Sequence, residues 1–378
     1  MKVVIVGGVA GGASAAARLR RLDETAQILI FERSGFISYA NCGLPYYIGG
    51  TIEDEGDLTL QTPESFYKRF RVKMNVRHEV TALHPESKMV TVKNIENGTV
   101  FTETYDKLIL SPGAKPIKPN FEGIDSDKIF TLRTVEDTLK IKKFINEKYP
   151  KSAVVVGGGF IGIEVAENLR ELGIDVTLVE AADQLMAPFD SDMASFIHAE
   201  LRKNGVNLML GRFVEGFADT DDGICVKLKN SPTLHANMVV MAIGVAPETT
   251  LAKDAGLELG IKGSIVVNDR METSVTDIYA VGDAVQIRNF VTDTDALISL
   301  AGPANKQGRI AADNICGIDS RYRGGQGSSV IKLFDMTAAS SFAMTRALTL
   351  VRFCTVWVFP PKNSSPFALF TTAWSPPR

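Results

Sequence analysis

The chain has 378 residues, enough for two domains with a hydrophobic core in each, and its 45% hydrophobic against 22% charged residues is the balance of a globular protein. A formal net charge of −3 gives no electrostatic ground for binding nucleic acid or an anionic membrane surface, so the expected partners are small molecules. Four cysteines without regular spacing, Cys42, Cys225, Cys316 and Cys354, make neither a disulfide framework nor a metal site and suit a reducing cytoplasm.

The N-terminal run MKVVIVGG is apolar but soon ends in glycines, so it reads as a first buried strand and not as a signal peptide. No window reaches the roughly 18 apolar residues of a membrane span. The stretch KVVIVGGVAGGASAAARLRRL followed by AQILIFER predicts strand, glycine turn, alanine-rich helix and strand, a βαβ unit. The same order returns near residue 151 in KSAVVVGGGFIGIEVAENLRELGIDVTLVE, so two nucleotide-binding units stand about 150 residues apart in an α/β fold. Between them, alternation in KMVTVKN and GTVFTETYDKLIL predicts antiparallel strands, and SPGAKP a turn. Further on, LHANMVVMAIGVAPET predicts a strand ending at a glycine turn, GSIVVNDRMETSVTDIYAVGDA more strand and turn, and LAGPANKQGRIAADNICG a helix with a small-residue face. From Ala343 onward there is no acidic residue, both tryptophans and five prolines occur, and no periodicity assigns a fold.

The second glycine turn satisfies GxGxxG with Gly157, Gly159 and Gly162, and Glu180 closes the following strand 18 residues after Gly162. Such glycines let backbone approach a pyrophosphate at a helix N-terminus, and a carboxylate there suits a free ribose diol, which predicts NADH over NADPH. The first turn keeps Gly7 and Gly12 but has Val9 in the middle; Glu32, 20 residues after Gly12, supports dinucleotide binding there as well. Ser14, Arg18 and Arg21 fall at i, i+4 and i+7 of the first helix and share a face, where two arginines can grip phosphates or simply favour the C-terminal end of the helix dipole. Cys225 in GICVKLK and Cys316 at a helix end are expected to pack in the core. His78, His84, His198 and His235 show no ligand spacing and are expected to be solvated or capping.

Three further segments carry a resemblance. TSVTDIYAVGDA, with Asp283, resembles the second flavin motif of the pyridine nucleotide-disulfide oxidoreductases; YDKLILSPGAKP, with Ser111 and Gly113, resembles their linker motif; MAIGVAPET, with Gly244, resembles the glycine motif closing their NAD domain. The resemblance implies two Rossmann-like domains, an FAD domain at 1–115 and 249–325 with an NAD(P) domain inserted at 116–248, then a remnant of a dimerisation domain at 326–342 and an unassigned tail at 343–378. It implies FAD, held by Gly7, Gly12, Glu32, Arg33, Ser111, Gly113 and Asp283. It also implies NADH or NADPH at the second turn, Ile161 included, with Phe160 and Glu164 beside the nicotinamide.

Within that family SYANC resembles the single-cysteine motif, and ANCGLPYYIGG is similar to the coenzyme A-disulfide reductase branch. The resemblance implies that Cys42 opens a helix facing the flavin, where a helix N-terminus is expected to lower its pKa. It implies substrate contacts from Ser14, Arg18, Arg21, Ser38, Asn41 and Asn305, and a coenzyme A disulfide or persulfide as substrate. NADH oxidases and peroxidases of the family carry a histidine at the position of Ala10, so cysteine sulfenic acid chemistry is the alternative and not the first expectation. Family members are homodimers with a longer C-terminal domain. The tail here is therefore expected to be a truncated or out-of-frame ending, with a lineage-specific extension and a non-catalytic nucleotide-binding flavoprotein as the other possibilities.

Overall fold

The computed structural model describes residues 1–344 and 350–357, with side chains described to Ser341. Its frame is two five-stranded parallel sheets. The first runs in the order 278–280, 107–110, 2–6, 27–32 and 73–76. The strands β1 (Lys2–Val6) and β2 (Gln27–Glu32) pair in parallel at its centre, joined by helix α1 (Ala10–Leu22). Val3, Val4 and Ile5 of β1 are wholly buried in one core with α1 residues and with Val80, Leu83, Val90 and Val92 of the neighbouring antiparallel strands, which is why these strands read as continuous apolar runs. Past β2 the short helix α2 (Leu44–Gly49) follows the cysteine turn.

The second sheet is built from the inserted segment in the order 207–209, 175–179, 152–156, 238–241 and 129–131. At its centre β3 (Ser152–Val156) and β4 (Asp175–Val179) pair in parallel, and helix α3 (Phe160–Glu171) joins them. The last long helix, α4 (Ala301–Ile315), packs on α1 of the first unit. Alanine and glycine make that packing close: a Cβ on Gly308 would stand 2.3 Å from the Gly11 carbonyl oxygen. The two units are linked by a pair of crossing segments, where Ala114–Pro116 pairs antiparallel with Val245–Pro247.

Three expectations need correction. KMVTVKN and VFTET do form antiparallel strands, at Met89–Asn94 and Val100–Thr104. Lys107–Leu110 instead lies parallel to β1 in the first sheet, because after Tyr105 the alternation gives way to the uninterrupted run Leu108, Ile109 and Leu110, buried on both faces. SPGAKP is more than a turn, since it supplies one strand of the crossing pair. The segment assigned no fold contributes the strand Leu350–Trp357, antiparallel to Met336–Met344 beside Ser329–Leu333; the remainder of the tail lies outside the described residues.

Candidate active site

Both glycine turns are shaped by steric necessity at the same two places. Gly7 and Gly157 hold φ of +97° and +110°, and a Cβ on either would strike the backbone of Ser111 or Ala242. Gly12 and Gly162 sit so close to the preceding turn that a Cβ would stand 1.9 Å from the carbonyl oxygen of Gly7 or Gly157. The middle position differs: nothing lies within 4 Å of a Cβ built on Gly159, and both Gly159 and Val9 hold negative φ, −83° and −98°, which a side chain tolerates. No side chain caps the N-terminus of α1 or α3, and neither first turn carries an acid, so both helix ends present open N–H groups to an anion.

The carboxylates complete each turn. Glu32 accepts from the backbone N–H of Gly8 at 2.7 Å and of Ser34 at 2.8 Å; Glu180 accepts from Gly158 at 2.6 Å and Ala182 at 2.8 Å. Each oxygen keeps a lone pair for a ribose hydroxyl. Burial pushes the Glu32 carboxyl above its ordinary value, with the backbone donors opposing that shift. A pyrophosphate-bearing dinucleotide therefore fits both turns on steric and electrostatic grounds.

The other expected cofactor residues lie around the first turn and the crossing segments. Ser111 donates its N–H to Val6 O at 2.8 Å and faces Gly7. Gly113 and Gly244 both have positive φ at the ends of the crossing pair. The exposed Arg33 lies 4.0 Å from Glu248. Asp283 is held by Arg133, whose Nη2 donates at 2.6 Å; sequence reasoning missed Arg133, since 150 residues separate the pair and no local pattern marks it. Glu136, also unforeseen, orders the loop after Glu32 by accepting from Gly35 N and Ser34 Oγ while pairing with Arg77 at 3.1 Å.

Cys42 sits in the single turn of 3₁₀ helix Asn41–Gly43 ahead of α2, exposed to solvent. Helix α2 crosses α3 in close contact: a Cβ on Gly49 would stand 2.1 Å from Asn168 Oδ1. One turn earlier on α3, Glu164 faces the start of α2, and its charge acts on both Cys42 and Tyr46. Here the expected helix effect is corrected. The thiol pKa is raised, first by desolvation in the packed turn and then by the charge of the nearby Glu164 carboxylate. Glu164 itself is pushed up to about 7 by desolvation and then by Glu167. Phe160 and Ile161 pack partly against the second core at the N-terminus of α3.

Of the expected substrate residues, Ser14 and Asn305 are brought together, with Ser14 Oγ donating to Asn305 Oδ1 at 2.8 Å. Arg18 Nε donates to Asp313 at 2.7 Å, and Arg21 is exposed near the Phe70 ring. Ser38 adopts φ of +45°, and Asn41 Oδ1, within the cysteine turn, is buried without a hydrogen-bond partner.

The other thiols divide. Cys316 caps α4 and packs partly against the first core. Cys225 is not a core residue: it lies half-exposed on the outer face of Gly223–Leu228, with Sγ 3.3 Å from Nδ1 of its cross-strand partner His235. Alternation placed it on the solvent face of a two-faced sheet. His198 accepts the Leu185 N–H at 3.0 Å, a capping role, and no group of metal-ligating side chains occurs among the described residues. No helix among them is long and apolar enough to cross a membrane.

Comparisons with known proteins converge on this geometry. The profile of the pyridine nucleotide-disulphide oxidoreductase family matches residues 1–308. The coenzyme A disulfide reductase of Staphylococcus aureus (strain JH9) is 39% identical over 340 residues, covering 90% of this chain and 76% of that protein. Among solved structures, reduced Bacillus anthracis CoADR-RHD superposes with a TM-score of 0.88 at 50% identity, covering 90% of this chain and 61% of that one. A NAD-dependent persulfide reductase from A. fulgidus superposes at 0.87 with 35% identity over 91% and 64%. The water-forming NADH oxidase from Lactobacillus brevis bound to NADH superposes at 0.86 with 32% identity over 90% and 75%. The chain thus spans less than two thirds of the first two of these structures.

Proposed function

The chain belongs to the pyridine nucleotide-disulphide oxidoreductase family, and from that footing we propose that it is an FAD-dependent NAD(P)H:disulfide reductase acting on coenzyme A disulfide, or on a coenzyme A persulfide, through Cys42 alone. The observation that carries this reading is the placement of Cys42. It is an exposed thiol, carried by α2 against the NAD(P) helix α3, where Gly49 meets Asn168 and Glu164 acts on the thiol, while Cys225 and Cys316 lie in other elements. FAD, when bound, takes two electrons from NAD(P)H and passes them to sulfur.

The protein's own part follows from its residues. The Cys42 thiolate attacks one sulfur of the substrate disulfide; a new S–S bond forms to Cys42, the substrate S–S bond breaks, and one thiolate leaves with the displaced electron pair. Two electrons then cleave the mixed disulfide, freeing the second thiol and restoring Cys42. One protein cysteine suffices because the substrate brings the second sulfur. Ser14, Ser38, Asn41 and Asn305 hold the substrate beside the turn, with Arg18 and Arg21 toward its phosphates. Gly7, Gly12, Glu32, Arg33, Ser111, Gly113 and Asp283 hold FAD in a domain of residues 1–115 and 249–325. Gly157, Gly159, Gly162, Glu164, Glu180 and Gly244 serve NAD(P)H in residues 116–248, with Phe160 and Ile161 at the nicotinamide end.

The likeness to a water-forming NADH oxidase favours oxygen chemistry as a second reading, and Ala10, which offers no acid–base group at the start of α1, opposes it. The test is NADH consumption by the FAD-loaded chain with coenzyme A disulfide, peroxide or oxygen as acceptor. Coenzyme A disulfide is expected to be fastest, and Cys42→Ser to lower that rate by about a thousandfold or more while NADH still bleaches the flavin. Full disulfide turnover by Cys42→Ser would refute the mechanism.

A further inference from the structure

Helices α1 and α4 lie side by side and run the same way, and their seam has two polar rungs. Near the Gly11–Gly308 contact, Ser14 donates to Asn305; farther along, the long side chain of Arg18 reaches Asp313. Asn305 and Asp313 are eight residues apart, and Arg309 lies midway, four residues from each, so it shares their face of α4. Arg309 is exposed and pairs with no group among the described residues. Sequence reading passed over it because it sits in a different helix from the arginines of α1.

The arginines of α1 differ in what they have left to give. Arg20 is structural: its Nε, Nη1 and Nη2 donate to the carbonyls of Phe70, Asp23, Glu24, Ala26 and Arg71. Arg18 spends only Nε, on Asp313, and both terminal nitrogens of its fork donate to nothing among the described residues. The Asp313 side chain is 13% exposed, so water competes poorly for that pairing and the guanidinium is held in one orientation. Arg21 and Arg309 are exposed without a carboxylate partner among the described residues. Arg18, Arg21 and Arg309 bring three guanidinium charges against Asp313 and, at the helix ends, Asp23, an excess of positive charge in a chain of net charge −3.

We propose that Arg309 is a substrate-binding residue that grips the phosphates of the substrate together with Arg18 across the α1/α4 seam, and that Asp313 is the positioning residue that presents the Arg18 fork to them. The inference rests on the coenzyme A-disulfide reading above and adds to it a basis for choosing phosphate-bearing disulfides. Planar guanidinium forks match phosphate oxygens two at a time, and a fork already anchored at Nε loses less freedom on binding. A disulfide without phosphates gains nothing from the seam.

The test uses the FAD-loaded full chain, with kcat and KM for coenzyme A disulfide and for the phosphate-free disulfide pantethine, and calorimetric binding of coenzyme A. The parent is expected to bind coenzyme A, and to prefer coenzyme A disulfide by a margin that shrinks with salt. Arg309→Gln should raise KM for coenzyme A disulfide about tenfold with kcat held and pantethine kinetics unchanged. Asp313→Ala should raise the same KM about threefold, with Asp313→Asn, which keeps an acceptor for Nε, recovering most of it. Lys306→Gln removes an equal charge from an exposed position off the row and should shift KM less. Equal effects of Arg309→Gln and Lys306→Gln, an equal rise for pantethine, or no change in Arg309→Gln would overturn the inference while leaving the disulfide-reductase reading intact. A parent that neither binds coenzyme A nor reduces its disulfide, yet reduces peroxide or oxygen, would overturn both.

Discussion

The two dinucleotide units differ in how deeply they enclose the same construction. In each, a glycine with positive φ opens the turn, a second glycine packs on the first, and a carboxylate closing the next strand accepts from the turn's backbone. In the first unit that carboxylate, Glu32, is 8% exposed and its charged form is disfavoured by burial, and the partly buried Val9 stands at the middle of the turn. In the second, Glu180 is only half-buried, and Gly159 is exposed with empty space where a side chain would be. A closed turn suits a cofactor that stays, and an open one suits a nucleotide that comes and goes with each turnover. The contrast fits the assignment of FAD to the first unit and NAD(P)H to the second.

The strongest way to break this comparison is to fill the packed glycines. Gly12→Ala and Gly162→Ala each drive a Cβ into backbone that cannot swing aside, a strain of about 3 kcal/mol local to one unit. Gly12→Ala should lose the flavin colour of the purified protein, whereas Gly162→Ala should keep it and fail only in reduction by NADH. Flavin loss from both variants would show that the units do not act separately. Next in size, Glu180→Ala removes the carboxylate that repels a 2′-phosphate, and should shift the NADPH-to-NADH ratio of kcat/KM by on the order of tenfold toward NADPH.

A smaller effect sharpens the contact between the units. Glu164 is charged only above about pH 7, where it opposes the Cys42 thiolate. Glu164→Gln should therefore speed alkylation of Cys42 roughly twofold above pH 7 and leave it unchanged below. The sign for stability is the same: the folded state disfavours the charged carboxyl, so this group's contribution is full at low pH and lost as pH rises through about 7. Thermal melts should accordingly show Glu164→Gln gaining on the parent as pH rises from 4.5 to about 7 and keeping that gain above it. The smallest effect belongs to Gly159→Ala, whose added methyl meets nothing within 4 Å; its melting should match the parent's to within about 0.5 kcal/mol, while nucleotide affinity reads any crowding of the pyrophosphate.

Much of this molecule was legible in its sequence. Both βαβ units, the turn glycines, the strand-closing Glu32 and Glu180 and the lone thiol Cys42 are local features, fixed by residues a few positions apart. The resemblance motifs likewise singled out Ser111, Gly113, Gly244 and Asp283, which the fold sets around the first turn and the crossing segments. Pairings across long separations were not legible: Arg133 with Asp283, Glu136 with Arg77, Ser14 with Asn305 and Arg18 with Asp313 leave no periodic trace, because each partner obeys the pattern of its own element. The parallel placement of Lys107–Leu110 depended on which sheet had room for a strand buried on both faces. The chemistry of Cys42 shows the division most clearly. Its identity and its solitude are written in the sequence, but the raised thiol pKa comes from desolvation and from Glu164, brought alongside only when α2 packs across α3. Sequence by itself determined which groups exist and which turns they occupy; tertiary structure alone decided which charges face one another, because electrostatic coupling depends on distance through space and not along the chain.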